Sequence, residues 1–133
     1  MPLIAPDGSV TPGEFLIWEE SPQNAECVRL TVTFGDQALT RDADDFFTAL
    51  RLIRSDLVAV GLTPRCYGSS RNVDPSSMSQ SMGAGVWAYK LHPGQRGRTA
   101  DLVDIFADGP DVDPVPVEVQ EAYHREWLRS LGS

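Results

Sequence analysis

The chain has 133 residues, 41% hydrophobic and 23% charged, and its 19 acidic against 11 basic side chains leave a formal charge of -8. That length fits one domain with one core, large enough to need neither a disulfide framework nor a structural metal. The charge argues against a surface built as a whole for nucleic acid or an anionic membrane, and favours a basic partner.

Residues 1–14 carry Pro2, Pro6, Gly8, Pro12 and Gly13 and read as an extended lead-in. Phe15–Trp18 is a short apolar run closed by Glu19, Glu20 and Pro22, which predicts a first strand. From Glu26 to Phe34 the side chains alternate, with Val28, Leu30, Val32 and Phe34 on one face, so a strand with one buried face follows. Thr40–Val60 is read as a helix: Phe46, Leu50, Ile53, Leu57 and Val60 recur at helical spacing, Asp42, Asp44 and Asp45 crowd its first turn, and Gly61 follows as a C′ residue. Arg51, Arg54 and Asp56 fall on its outer side. Residues 63–85, rich in Ser, Gly and Pro, read as a long loop and a first place to look for a binding surface, with a strand over part of Arg65–Tyr67 the one exception it admits. Val86–His92 and Ala100–Phe106 predict a hairpin joined by Pro93–Arg98. A last helix over Pro116–Leu131 gathers Val117, Val119, Tyr123, Trp127, Leu128 and Leu131 on the half expected to dock on the sheet. The order predicts a single α+β domain spanning residues 1–133, mainly an antiparallel sheet of four to five strands with two helices packed on one face.

Met1–Gly8 has no basic leader and only Leu3-Ile4-Ala5 before Pro6, so a cytoplasmic, soluble chain without a signal peptide is expected. No apolar run approaches the ~20 residues of a membrane helix. Cys27 and Cys66 are expected as reduced thiols.

Charge is segregated along the chain: -6 over residues 1–56, +4 over 57–100 and -6 over 101–133. The basic middle, Arg65, Arg71, Lys90, Arg96 and Arg98, either grips an anionic group with its guanidinium forks or pairs with the acidic ends of the same chain. Cys66, His92 and His124 supply residue types for thiol catalysis but match no protease signature, so no catalytic residue is assigned. Asp101, Asp104, Asp108, Asp111 and Asp113 lack the ligand order of a calcium loop, and no metal or cofactor is expected. Met82–Gly85 lacks the ending of a phosphate loop. Ser76, Ser77, Ser79 and Ser81, interleaved with Met78 and Met82, read as adaptable surface.

With a compact α+β pattern, acidic segments and no catalytic signature, the chain resembles as a type the small acidic immunity proteins that bacteria keep in the cytoplasm to neutralise a secreted toxin. Its Met82–Leu91 and Ala100–Phe106 stretches also look like a block found in uncharacterised small bacterial proteins. The resemblance implies a non-enzymatic binding protein, monomer or homodimer, whose acids meet a basic toxin surface. Its contacts would be Asp42, Asp44, Asp45, Asp104, Asp108, Asp111 and Asp113, with Trp87 as an apolar anchor on the hairpin. A small enzyme or ligand-binding domain for an anionic metabolite, built on Arg65, Arg71, Arg96 and Arg98 with Cys66 and His92, is the alternative. An accessory subunit of a phage or secretion assembly is a third.

Overall fold

In the computed structural model, which describes residues 1–75 and 85–132, the elements in chain order are β1 (Pro2–Ile4), β2 (Val10–Pro12), β3 (Glu14–Trp18), β4 (Val28–Phe34), β5 (Gln37–Ala43), α1 (Phe46–Val58), β6 (Thr63–Pro64), β7 (Val73–Asp74), β8 (Trp87–Lys90), β9 (Leu102–Asp104) and α2 (Val117–Ser130). Short 3-10 turns cover Tyr67–Ser69 and Thr99–Asp101. The class is α+β, but the single sheet of four to five strands is replaced by three antiparallel sheets of three strands, β2-β1-β6, β3-β4-β5 and β7-β8-β9. Pro2, Pro12 and Pro64 keep the first sheet to strands of two or three residues, because proline cannot donate to a ladder.

The alternation read in β4 holds. Val28, Leu30, Val32 and Phe34 are buried, and α1 lies against them through Phe46, Phe47, Ala49, Leu50, Ile53 and Leu57. Each such side chain contributes about 1.5–3 kcal/mol on leaving water, so this layer is the core of the molecule. The expected helix start at Thr40 is wrong. Gln37–Ala43 turns back at Gly35-Asp36 and pairs with β4 over its whole length, Val28↔Ala43 to Phe34↔Gln37. Its polar residues are answered across the strands rather than along a helix: Thr40 bonds Thr31 and Asp42 bonds Arg29. Of the three acids assigned to the first helical turn, Asp45 alone acts at the helix, as the N-cap whose carboxylate accepts the Thr48 N–H at 2.8 Å. At the other end Val60 lies beyond the helix and is exposed, and the chain turns away through Gly61 at φ 75°.

Two further expectations are corrected. The lead-in is a hairpin, β1 with β2, that places Leu3 in the core and pairs β1 with β6. The described part of the long loop, 63–75, is mostly buried, because its main chain is bonded to the 105–115 segment: Tyr67 and Gly68 donate to Ala107 and Ile105, and Val115 donates to Ser69. The expected Ser and Met surface at 76–82 lies outside the described residues. The late hairpin is present as β8 with β9, Trp87↔Asp104 to Tyr89↔Leu102. α2 has its predicted span and Pro116 at its N-cap; it docks on α1, on loop main chain and, through Gln120 to the Val73 carbonyl and His124 beside Asp74, on the short strand β7. Gln120 and Trp127 are its buried residues and Leu128 faces solvent; Tyr123 and Trp127 donate to the carbonyls of Leu91 and Gln95.

Candidate functional site

The basic middle and the acidic segment after it meet. Arg65 bridges Asp108 at 3.0 Å, Arg71 bridges Asp113 at 3.0 Å and Lys90 bridges Asp111 at 3.2 Å. The Tyr67 hydroxyl donates to Asp111 at 2.6 Å; that bond, with Lys90, holds the Asp111 carboxyl below its ordinary range and pushes the phenol up. Gly109 packs flat on Tyr67, where any Cβ would overlap the hydroxyl. Arg98 and His92 both reach Asp101; burial works against that carboxylate's charge, and the two partners outweigh it, so its pKa is lowered. Arg96 is exposed, with no ion pair among the described residues. Three of the arginines named as an anion grip therefore already hold carboxylates of the same chain.

The acids named as partner contacts are scattered. Asp42 takes a two-pronged bond from Arg29, 2.8 and 3.1 Å, and another from Ser21, which together depress its pKa. Asp104 accepts the Phe106 N–H across from the exposed Trp87. Asp44 is exposed beside the Asp45 cap. Asp108, Asp111 and Asp113 form the ion-pair row just described.

Beneath that row lies a polar knot around Arg54, a residue that the sequence puts on the outer side of its helix. Arg54 is 3% exposed and Gln120 1%. The Arg54 guanidinium donates to Gln120 Oε1 at 2.6 Å, Val115 O at 2.7 Å and Gly68 O at 3.2 Å, while the Gln120 amide donates to the carbonyls of Gly68, Ser70 and Val73. Burial lowers the Arg54 pKa to about 10, so it stays charged at neutral pH. The knot ties α1 to α2 and to the main chain of 68–73 and 115. A signal for it existed: Arg54 stands four residues after Leu50 and three before Leu57, within the apolar arc.

Cys66 is fully buried beside Ser69, and burial pushes its thiol up, away from the thiolate a nucleophile needs. The imidazoles named with it are engaged elsewhere, His92 with Asp101 and His124 stacked on Trp127. Both cysteines are free thiols. Among the described residues no group of three or more His, Cys, Asp or Glu side chains is placed to hold a metal, and no helix is long and apolar enough to cross a membrane.

The β3 edge is not closed in this way. A two-residue turn makes Phe34↔Gln37 a hydrogen-bonded pair, so Val28, Leu30, Val32 and Phe34 turn their main-chain groups to β5 and Arg29, Thr31 and Thr33 turn theirs to β3. Glu14, Leu16 and Trp18 answer them. Phe15 and Ile17 then direct their N–H and C=O outward, on the side where Gly13 exchanges 2.9 Å bonds with Met1. Past Gly13 this edge has no strand beside it among the described residues. Leu16, Ile17 and Trp18 are 43%, 47% and 38% exposed. Glu14, Glu19, Glu20 and Glu26, on β3 and the loop after it, are exposed with no ion pair among the described residues. Sequence reading found the strand but not this role, since alternation does not say which strand lies at an edge. Compared with protein-family models and with curated proteins, the chain matches none.

Proposed function

We propose that the protein is a binding protein of the immunity type, which neutralises a basic toxin by forming a tight one-to-one complex. The observation that carries this reading is the setting of the acids: Asp42, Asp101, Asp108, Asp111 and Asp113 have cations of their own chain, whereas Glu14, Glu19, Glu20 and Glu26, with no ion pair among the described residues, stand around exposed Leu16, Ile17 and Trp18. Unpaired like charge is self-repulsive and is relieved by an oppositely charged partner, which it also steers to the surface. Apolar side chains at the centre with charge at the rim are the make-up of a protein interface. On this reading the contact lies on the β3 side rather than at Trp87 and the aspartates named from the sequence. Co-purification with the product of the adjacent gene tests it. A complex at micromolar concentration that weakens as salt is raised supports the reading; no complex at low salt overturns it.

A further inference from the structure

Two strands bound the central sheet, and they differ in how they treat their open side. β5 carries Arg41 and Asp42, each tied into an ion pair, with Asp56 and Arg29, and such charges guard an edge against addition of another strand. β3 presents Phe15-Leu16-Ile17-Trp18 with no charge between them, and the main-chain groups of Phe15 and Ile17 face out. On one face of β3 lie Glu14, Leu16 and Trp18; on the other, Phe15 packs on Phe106 at 4.8 Å beside the half-exposed Ile17.

We propose that this edge takes an extended segment of a basic partner protein as an added fourth strand, a statement that rests on the binding function proposed above. Two donors and two acceptors, from Phe15 and Ile17, would pair with that segment's main chain. Its side chains would alternate: apolar ones on the Phe15 and Ile17 face, and Lys or Arg on the other, over the Trp18 ring and toward Glu14 and Glu20. Charge selects this occupant over a second copy of the chain. A self-pair would bring together two molecules of charge -8, and centring it on Leu16 would set Glu14 diagonal to Glu20 of the other copy.

The probe is an acetylated peptide, Lys-Val-Arg-Val-Lys-Val-Arg, with a second peptide N-methylated at alternate residues so that one edge cannot donate. Binding is followed by fluorescence anisotropy, and the site by amide hydrogen exchange. The expected result is at least tenfold slower exchange at Phe15 and Ile17. Affinity should fall at least tenfold on N-methylation of the facing edge, and equally for Ile17→Pro, which removes an N–H that β4 does not use. Ile17→Lys, which keeps that N–H but adds a charge, gives a second weakened variant if the proline variant does not fold. Protection elsewhere, indifference to N-methylation, or dimerisation through β3 would overturn the proposal. A basic partner protein that binds without protecting Phe15 and Ile17 removes the added strand but leaves the neutralising function; strand addition with no basic partner does the reverse.

Discussion

The β3 side and the side built from residues 63–75 and 85–115 treat charge in opposite ways. On the late side, Arg65, Arg71, Lys90 and Arg98 meet Asp108, Asp113, Asp111 and Asp101, and Arg54 is sunk among carbonyls beneath them. On the β3 side the acids outnumber the bases, and Arg29 is already taken by Asp42. Net charge of -8 does not distinguish these cases; pairing does. Charge answered within the chain serves to hold segments together, and charge left unanswered is available to a partner.

If the late side is held by its polar knot, removing one member should hurt far more than any change at the open edge. Gln120→Leu takes from the buried Arg54 guanidinium the shortest of its three bonds and frees the carbonyls that Gln120 answers. We expect a loss of about 3–5 kcal/mol in urea unfolding, against about 0.5 kcal/mol or less for Glu20→Gln. Similar losses for both would erase the distinction. A smaller effect is expected at Gly109→Ala, where the new methyl must displace Tyr67 from Asp111. A cost of about 1–3 kcal/mol, with loss of the raised Tyr67 titration by ultraviolet absorbance, would sharpen it.

Acid gives the smallest and most diffuse effect. Asp42, Asp56 and Asp111 have pKa values below the ordinary 3.8, held down by Arg29 with Ser21, by Arg41, and by Tyr67 with Lys90. Lowered carboxyls stabilise the fold in full above 3.8, and that stability is lost as pH falls through their depressed values. The urea midpoint should therefore drop on acidification below pH 3.8, and Asp42→Asn with Asp111→Asn should flatten the drop.

Long periodic elements were legible in the sequence because burial writes itself as spacing: β4 by its alternation, α1 by Phe46, Leu50, Ile53 and Leu57, and α2 by its proline start. β5 was not, since in Gln37–Ala43 only Leu39 and Ala43 pack on the core, too few to show an alternation, and Asp42 with Asp44 and Asp45 looks like a helix start. Strands of two or three residues, such as β6 and β7, are too short to show a period, so three small sheets read as one larger sheet. Arg54 reads as outward because a guanidinium is expected in water; its position in the apolar arc is the signal against that, while the carbonyls that hold it carry no signature in residue type. The ion pairs were legible as a choice, basic middle with acidic end or with an external anion; which carboxylate each cation meets depends on the turn at 67–69 and the 105–115 crossing. The β3 edge needed the register of β4 before its outward main-chain groups could be counted.

The most direct measurement is calorimetric titration of the basic partner, at low salt, against two charge-reversed forms of the protein. Glu19→Lys with Glu20→Lys reverses the unanswered side, and Asp108→Lys with Asp113→Lys reverses the answered one. The account predicts an affinity loss of about tenfold or more for the first pair and less than about threefold for the second. A loss confined to the Asp108 and Asp113 form, with the Glu19 and Glu20 form binding as well as the native protein, would contradict it.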